Sequence, residues 1–459
     1  MPSHPRVRLQ SLGCRLNEAE LEAWADALSE RGCALAGDDE PADLIIINTC
    51  AVTQEATRKS RQLVRRAHRD NPTARLVVSG CLASLDAQAL AGEAGVDLLV
   101  DNQSKDRLVE IAAAALDLPV LPLARGSATS ETANPWFDRG RQRAFIKVQD
   151  GCRYACTFCV TTQARGEERS RPLPEIIAAV QRAASSGIRE VLLTGVHLGG
   201  YGSEIGSDLS HLVRAVLDQT SIPRIRLGSL EPWDLPDDFW DLFANPRLLP
   251  HLHLPMQSGA DSVLRRMARR CKTDEFDRLA ARGRAAVPGL NLTTDIIAGF
   301  PGETETDWQE TLAFVAAMAF GQVHGFAYSP RAGTRAALLP DQVDADTKRR
   351  RCRELKDLAD GLRHRLLLSQ VGLTSQVLRE GPSRLGHPGD LFGYTPNYLP
   401  ILVDPRPTAA AIGEVMQVLI RGVEADGAAL RGGLADCATG PNGAMSRISN
   451  ASGITVTVY

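Results

Sequence analysis

The first 124 residues alternate short apolar runs with stretches of helical periodicity, the pattern of a β/α domain. A run such as 44–48 (LIIIN) is apolar on both faces, as in a parallel strand that helices cover on each side. We therefore expect a doubly wound parallel sheet in an N-terminal domain of residues 1–124. The expected strands are residues 7–13, 44–48, 76–79 and 96–100, and the expected helices are 17–30, a basic helix ending near Arg69, and 105–116.

A second, longer β/α alternation begins at residue 143. Six units without a closing pair predict a partial (β/α)6 barrel of residues 143–365, open on one side, with its active site at the carboxyl ends of the strands. Thr304 and Asp307 form a helix-start pattern of the capping-box kind. The expected strands are residues 145–148, 190–193, 224–227, 251–254, 292–297 and 323–328, and the expected helices include 175–186, 209–219, 262–270, 304–320 and the basic stretch 348–365.

The remaining segments lack this alternation. Residues 125–142 are rich in Ser, Thr, Gly and Asn, a composition typical of a linker. Residues 366–433 contain β-type runs at 374–378, 398–403 and 415–420, broken by Gly and Pro, and predict a small β-barrel. The tail, 434–459, indicates no role. The expected fold class is α/β with this small barrel appended.

Length and composition indicate the number of domains and the cellular compartment. A chain of 459 residues suggests about three domains, and no apolar run approaches the ~20 residues of a membrane helix. The first ten residues lack the apolar core of a signal peptide, so we expect a cytoplasmic protein without a membrane partner, whose ten cysteines stay reduced and serve metal sites.

The net charge of −3 gives no overall attraction to nucleic acid, so an RNA partner must be held by local basic runs. Taken singly, such runs are more typical of a solvated helix face. The runs are residues 58–69, 139–143, 265–270 and 348–353.

Three cysteines fall within eight residues, Cys152, Cys156 and Cys159, with the spacing C-x3-C-x2-C. Three thiolates on a cubane cluster leave one iron without a protein ligand, free for a small molecule. A zinc knuckle that lacks its fourth ligand and incidental buried thiols are the alternatives. The spacing favours an iron-sulfur cluster with one open iron.

Three more cysteines, Cys14, Cys50 and Cys81, each follow an expected strand of the N-terminal sheet. Because ligands gather beyond the carboxyl ends of parallel strands, we expect these thiols to meet and to hold a second three-thiolate cluster. The remaining cysteines have no such common placement: Cys33, Cys271, Cys352 and Cys437.

The motif C-x3-C-x-Φ-C, with Phe158 as Φ, resembles the signature of the radical S-adenosylmethionine (SAM) enzymes. The run 145–152 (FIKVQDGC), continuing to Ala164-Arg-Gly and Ser170-Arg-Pro, resembles the methylthiotransferases, and the likeness covers nearly the whole chain. Within it, S-L-G-C, N-T-C and S-G-C match the ligand motifs of that family's auxiliary [4Fe-4S] cluster, and 391–399 (LFGYTPNYL) resembles the TRAM domain, an RNA-binding barrel.

The resemblance implies two [4Fe-4S] clusters, one on Cys152, Cys156 and Cys159 and an auxiliary one on the other triad, with SAM as the second cofactor. SAM bound to the open iron would be cleaved to a 5′-deoxyadenosyl radical, and the auxiliary cluster would hold the sulfur to be inserted. The loop 194–202 resembles the one that holds the methionine part of SAM. The expected SAM contacts are Phe158, Gly199, Gly200, Gln257, Ser258 and Asp295.

Several neighbouring residues allow more than one interpretation. Loops rich in Gly and Pro are more often only connections. His197 and His253 are read as pocket or packing residues. Arg165, Arg169 and Arg171 have three possible roles: they bind a phosphate, they bind the SAM carboxylate, or they lie in a solvated loop. Tyr394 and Tyr398 have two possible roles: they stack on bases, or they pack in the core of the small barrel.

Three motifs most resemble those of the branch that modifies C2 of N6-threonylcarbamoyladenosine 37 in tRNA. They are Gln149-Asp-Gly-Cys, Ser229-Leu-Glu-Pro and Gly393-Tyr-Thr-Pro-Asn-Tyr. The implied partners are a tRNA anticodon stem-loop, an electron donor such as flavodoxin or ferredoxin, and a sulfur source. Residues 160–163 depart from the Ile-Pro pair of that branch. The competing hypotheses are therefore methylthiolation of isopentenyladenosine 37 or of a ribosomal-protein aspartate and, in another class, a non-catalytic iron-sulfur RNA-binding protein.

Overall fold

The computed structural model describes residues 5–37, 39–116, 142–381, 389–404 and 411–435. The expected linker, 125–142, and tail, 434–459, lie outside these ranges except for residues 142, 434 and 435, and so does most of the basic run 139–143. Within the described ranges, no helix combines the length and apolar character needed to cross a membrane. The expected domain boundaries stay predictions.

The N-terminal domain is a five-stranded, all-parallel sheet in the order β2-β1-β3-β4-β5, a doubly wound arrangement. Apolar side chains pack on both faces, with Trp24 and Leu44 in one core and Ile45 and Val64 in the other. The expected fold is confirmed. The strands are β1 Arg6–Ser11, β2 Ala34–Leu35, β3 Leu44–Thr49, β4 Arg75–Gly80 and β5 Leu98–Val100. The helices are α1 Arg15–Ser29, α2 Gln54–Asp70, α3 Cys81–Leu85, α4 Ala87–Ala91 and α5 Leu108–Ala115, preceded by a 3-10 turn at Lys105–Arg107.

The central domain contains six parallel strands in sequence order, in two three-stranded sheets joined by single bridges, Ile225 to Leu248 and Ser229 to His253. In the described part of the chain the first and last strands do not pair, so the barrel is open, as expected. The strands are β6 Arg143–Lys147, β9 Glu190–Thr194, β10 Arg224–Leu227, β11 His251–His253, β12 Asn291–Ala298 and β13 Gln322–Ala327; β7 Gln149–Asp150 and β8 Arg169–Ser170 form a short antiparallel pair beside them.

Helices surround these strands. Thr304 caps one of them, because its hydroxyl accepts from the Asp307 N–H at 3.1 Å while Asp307 Oδ2 accepts from the Thr304 N–H at 2.9 Å, which confirms the predicted capping box. The helices are α6 Thr161–Arg165, α7 Leu173–Ser185, α8 Leu209–Gln219, α9 Asp261–Arg266, α10 Thr273–Ala286, α11 Glu305–Met318 and α12 Ala345–Leu368. Short 3-10 turns lie at Leu198–Gly200, Phe239–Ala244 and Arg335–Leu338.

The C-terminal domain is a closed five-stranded barrel in the order β14-β15-β16-β18-β17. Gly393 permits its closure, since a Cβ there would lie 2.3 Å from the Leu378 carbonyl oxygen on the neighbouring strand. The run expected at 398–403 becomes a strand only at Pro400, because Tyr398 has φ +65° and interrupts the extended backbone. The strands are β14 Thr374–Arg379, β15 Leu391–Tyr394, β16 Pro400–Val403, β17 Val415–Val423 and β18 Leu430–Leu434.

Helix α1 of the N-terminal domain covers the exposed edge of the open barrel. The Glu22 carboxylate accepts a 2.7 Å hydrogen bond from the Phe145 N–H on β6. An uncovered strand edge leaves such groups unpaired. This contact therefore brings the carboxyl edge of the N-terminal sheet beside the barrel interior.

Candidate active site

The loop between β7 and α6 carries Cys152, Cys156 and Cys159. The Cys159 N–H donates to the Cys156 carbonyl at 3.1 Å, which folds the loop into a tight turn. Backbone N–H groups of Tyr154 and Thr161 point at the sulfurs of Cys152 and Cys159, at 3.4 and 3.3 Å. Hydrogen bonds of this kind favour the thiolate, the form that binds metal.

Burial, with a smaller contribution from the nearby thiols of Cys159 and Cys156, raises the pKa of Cys152 to about 12. Burial also raises the pKa of Cys156, while the Arg269 guanidinium, whose Nη1 lies 3.9 Å from the Cys156 sulfur, opposes that rise. The described cysteines form no disulfide. Three free thiols within one another's field, with donors aimed at the sulfurs, fit a cluster that replaces their protons with iron.

The second triad lies at one edge of the N-terminal sheet. Cys14 precedes α1, Cys50 follows β3 and Cys81 begins α3 after β4, so three adjacent parallel strands deliver the thiols to the same edge. The reversal of strand order in this sheet lies between β1 and β3, where such sheets bind ligands.

Two glycines let these strand ends approach one another. Gly13 has φ +119°, and a Cβ there would lie 2.8 Å from Cys50 Cβ. Gly80 has φ +96°, and its Cβ would lie 2.3 Å from the Thr49 carbonyl oxygen. Burial, with smaller contributions from the thiols of Cys81 and Cys14, raises the pKa of Cys50 to about 11. The second triad therefore also fits a three-thiolate cluster.

A cavity of about 920 Å³ joins the three domains. Its wall includes the second triad, the carboxyl ends of barrel strands at Thr194 and Ser229, Asp295 in the middle of β12, and Tyr398 of the C-terminal barrel. Helix α6, which directly follows Cys159, contributes Thr161 and Arg165 to the same wall. One chamber is thus bordered by the second triad and by the helix that leaves the first.

Arg165 lies buried between the two domains. Its Nη1 donates to Glu20 Oε1 at 3.0 Å and to Asp150 Oδ1 at 2.9 Å, and its Nη2 donates to Asn17 Oδ1 at 2.8 Å. The fully buried Lys105 ammonium lies 2.5 Å from Glu20 Oε1. Arg165 therefore serves neither a solvated loop nor a free anion site, and its interaction with Glu20 crosses the domain boundary.

The electrostatics of this network follow from its cations. Burial alone would raise the pKa of Glu20, but Arg165 and Lys105 outweigh burial and lower it to about 2. The positive field of Arg165 also opposes the burial that raises the pKa of Cys14. Arg169 and Arg171 lie nearer solvent, with Arg171 Nε 3.1 Å from Glu175.

The six expected SAM contacts lie in different surroundings. Asp295 faces the cavity, and its carboxylate lies 3.3 Å from His253 Nε2. Gln257 has the strained φ of +76°, held by backbone bonds of 2.8 Å to Asp295 and Ile297 on β12. Phe158 packs edge-on against Phe300 at 6.4 Å.

The other three expected contacts pack against protein atoms. Ser258 is fully buried, and its hydroxyl lies 3.3 Å from that of Thr311. A Cβ on Gly200 would lie 2.4 Å from His197 Nδ1, and one on Gly199 would lie 3.1 Å from Asp234 Cβ. The assignment of these six residues to SAM stays a prediction, and Asp295 alone among them lines the cavity.

His197 is held on both ring nitrogens, Nδ1 by Glu168 and Nε2 by Asp234 at 2.7 Å. Burial would lower its pKa, but the hydrogen bonds to these two carboxylates raise it above its ordinary value. Both ring nitrogens are thus occupied by carboxylate partners. His197 is therefore a packing residue beside the cysteine loop, and Tyr154 donates to the same Asp234 at 2.8 Å.

Tyr398 lies at the seam between the C-terminal barrel and the amino ends of the central strands. It stacks on Tyr394 at 4.7 Å, the Arg226 guanidinium lies 4.5 Å from its ring centre, and its hydroxyl accepts from Arg143 at 2.9 Å and Arg15 at 3.2 Å. It is thus neither an exposed base-stacking residue nor part of the small barrel's core.

Sequence reasoning missed three of these partners, Glu20, Glu168 and Glu231. Glu231 belongs to the Ser-Leu-Glu-Pro motif, and it holds the Arg269 guanidinium at 2.7 Å, beside Cys156. A signal existed only for Glu231, because its motif was recognised. The other two carboxylates depend on contacts across elements that periodicity does not encode.

Two family models match the chain. Residues 6–101 match the uncharacterized protein family UPF0004, and residues 146–315 match the radical SAM superfamily. The fold is similar to the solved structure of a radical S-adenosylmethionine methyltransferase, TsrM, from Kitasatospora setae with cobalamin and a [4Fe-4S] cluster bound. The TM-score is 0.55 at 16% identity, and the match covers 73% of this chain and 77% of that one. That likeness concerns the fold alone.

Curated relatives match over most of their length. The threonylcarbamoyladenosine tRNA methylthiotransferase MtaB of Bacillus subtilis is 33% identical, with 90% of this chain and 93% of that protein covered. The protein of the same name from Thermotoga maritima is 35% identical over 82% and 86%. The tRNA-2-methylthio-N(6)-dimethylallyladenosine synthase of Anaeromyxobacter dehalogenans is 34% identical over 94% of each chain.

Proposed function

This chain belongs to the radical-SAM methylthiotransferase family, and from that membership we propose that it inserts a methylthio group at C2 of N6-threonylcarbamoyladenosine 37 in tRNA. It is an enzyme, and its family implies a [4Fe-4S] cluster and SAM. The second cluster, on Cys14, Cys50 and Cys81, is part of the proposal. So are the anticodon stem-loop as the bound part of tRNA, a flavodoxin- or ferredoxin-like electron donor and a separate sulfur source.

The observation that carries the proposal is the shared cavity. Thiols of the second triad and the carboxyl ends of the barrel strands line the same chamber of about 920 Å³, a volume suited to a nucleotide. Sulfur insertion requires the sulfur carrier and the radical-generating site to reach the same substrate atom. A protein with two unrelated metal sites would not need the second triad and the helix that follows the first triad to border one chamber.

When bound, SAM and the clusters supply the one-electron chemistry that removes hydrogen from an unreactive C–H bond and the sulfur that takes its place. The chain's own residues do the positioning. Cys152, Cys156 and Cys159 would hold one cluster, and Arg269 beside Cys156 would offset thiolate charge. Arg165 fixes the first cysteine loop against the N-terminal domain, so the distance between the two sites is set by a buried contact.

Sequence identity does not distinguish the two tRNA branches, because the threonylcarbamoyladenosine relatives are 33–36% identical to this chain and the dimethylallyladenosine relatives are 34–35% identical. The choice of nucleoside therefore rests on the motif sequences and on the chemistry of the cavity. The dimethylallyl branch acts on an apolar substituent. The cavity wall contains cationic side chains at Arg15 and Arg363 and a polar imidazole at His324. These polar groups favour the threonylcarbamoyl substituent, which is anionic.

The test uses anaerobically reconstituted, reduced protein with SAM and three anticodon stem-loops, carrying threonylcarbamoyladenosine, isopentenyladenosine or adenosine at position 37. Mass spectrometry should detect 5′-deoxyadenosine and a methylthio product on the first stem-loop. Product formed only on the isopentenyladenosine stem-loop would overturn the assignment. A preparation that makes no 5′-deoxyadenosine, although iron and sulfide analysis shows both clusters present, would overturn the catalytic proposal.

A further inference from the structure

The cavity wall has more positive than negative charge. Among the described residues that line it, Asp295 is the one carboxylate, and it lies 3.3 Å from His253. Arg165 on the same wall already pairs with Glu20 and Asp150. Arg15 and Arg363 also line the cavity, and within the described residues neither has a carboxylate partner.

The bonds that Arg15 and Arg363 do make leave their charge uncompensated. Arg15 donates to the Tyr398 hydroxyl at 3.2 Å, and Arg363 donates to the Ala428 carbonyl at 2.6 Å. Both partners are neutral acceptors that orient a guanidinium without balancing it. Each guanidinium has five N–H donors, so donors remain for a ligand.

The two guanidinium groups act on one region of the cavity. Burial lowers the pKa of His324, and the fields of Arg15 and Arg363 lower it further against the opposing Asp295. The lowered pKa of His324 therefore includes the positive electrostatic potential of both arginines. Arg15 on α1 and Arg363 on α12 both line this cavity together with His324, so they make its wall electropositive.

Apolar side chains elsewhere on the cavity wall suit the flat face of a base. Phe326 is 47% exposed and Val52 is 51% exposed, and both line the cavity. Exposed apolar groups that face a chamber commonly mark a ligand contact. The wall thus offers an apolar surface and a cationic patch, which are complementary to a base that carries an acidic substituent.

We propose that Arg363, with Arg15, binds the carboxylate of the threonylcarbamoyl substituent and so selects the nucleoside, an inference that rests on the proposed function. The threonine carboxylate is the charged group that this nucleoside has and the isopentenyl nucleoside lacks. A guanidinium binds a carboxylate through two parallel hydrogen bonds. An isopentenyl group would bury the arginines without a partner, which a polar site penalises strongly.

Two other anions could meet these arginines, the SAM carboxylate and a tRNA phosphate. The Cys152–Cys159 loop, whose cluster would hold SAM, does not line this cavity, although Asp295 and residues 194–196 of the expected SAM site do, so SAM binding is measured separately. Arg15 contacts Tyr398, which packs on His251 at the amino end of β11, inside the barrel. A base substituent reaches such a position more readily than the backbone of a folded stem-loop does.

The experiment measures binding of reconstituted protein to stem-loops with threonylcarbamoyladenosine or plain adenosine at position 37, and binding of SAM separately. Arg363→Gln keeps a donor for Ala428 but loses the charge. It should weaken binding of the modified stem-loop about 10- to 100-fold, the range of a lost charged hydrogen bond, and change binding of the unmodified one less than about threefold. Arg363→Lys should retain part of the preference.

Arg349→Gln is the matched control, since Arg349 lies on the same helix, is exposed and pairs with Asp346. It should change binding of the two stem-loops equally and little. If Arg363→Gln weakens binding of both stem-loops equally, the arginine contacts a phosphate, and if it weakens SAM binding, the arginine contacts SAM. Either result overturns this inference and leaves the proposed function untouched. Wild-type protein that shows no preference for the modified stem-loop would overturn the proposed function as well.

Discussion

Arg165 Nη1 lies 3.0 Å from Glu20 Oε1, and both side chains are 2% exposed. Arg165 ends the short helix that follows Cys159, and Glu20 lies on the helix that begins after Cys14. This single ion pair therefore connects the segments that carry the two cysteine triads. The contact gives the two sites a fixed separation that no covalent link provides.

Replacing Arg165 by Gln should lower the free energy of unfolding by roughly 3–5 kcal/mol, because Glu20 and Asp150 would lose a buried cationic partner. Denaturant unfolding under anaerobic conditions measures the change. Arg171→Gln is the control, since its pair with Glu175 is partly exposed and should contribute less than about 1 kcal/mol. Equal losses in the two variants would show that the buried pair has no special weight.

The depressed pKa of Glu20 also makes stability depend on pH. Its folded pKa of about 2 lies below the ordinary value of 4.5, so the carboxylate's contribution is complete above pH 4.5 and is lost as the pH falls towards 2. Metal-free protein is suitable, because acid releases iron-sulfur clusters. Glu20→Gln should be less stable than wild type at pH 6, by about 3 kcal/mol at most, and this difference should shrink steadily between pH 5 and about 3. A difference that is constant over this range would contradict the assignment.

Tyr398 should stabilise the seam between the C-terminal and central domains. Tyr398→Phe removes the hydroxyl that accepts from Arg143 and Arg15, which should cost about 1–3 kcal/mol. Tyr394→Phe is matched, since Tyr394 stacks on the same ring but its hydroxyl makes no hydrogen bond within the described residues. It should change thermal stability little. The interface account fails if both variants melt at the same temperature.

The strands and the cysteine triads were predictable because both follow from local pattern. Apolar runs such as 44–48 fix a buried strand, and residues that directly follow parallel strands meet at one edge whatever the details of packing. This geometry brought Cys14, Cys50 and Cys81 together without any long-range information. The open barrel followed in the same way from counting β/α units.

The position of Tyr398 and the partners of Arg165 were not predictable from the sequence. Tyr398 adopts φ +65°, a conformation rare for a residue with a side chain, and its contacts with Arg226 and His251 of another domain help to stabilise it. Arg165 is 145 residues from Glu20 in the chain, so no periodicity connects them. Strands β15 and β18 were also unexpected, because their glycines at 393, 432 and 433 weaken the strand pattern while permitting close packing.

The two triads should be separable by mutation. Cys156→Ala should lose SAM cleavage, whereas Cys50→Ala should keep SAM cleavage and lose sulfur insertion. Each variant should bind about four iron atoms per chain where the wild type binds about eight. Iron analysis together with 5′-deoxyadenosine production checks both points. Loss of all iron in Cys50→Ala would mean that the first cluster depends on the second.

The most direct measurement is mass spectrometry of tRNA nucleosides from a strain that lacks this gene, complemented with wild type or with Cys156→Ala. We predict that the 2-methylthio form of N6-threonylcarbamoyladenosine disappears in the deletion strain while its unmodified precursor accumulates, and that wild type but not the variant restores it. Persistence of the methylthio nucleoside in the deletion strain would contradict the account.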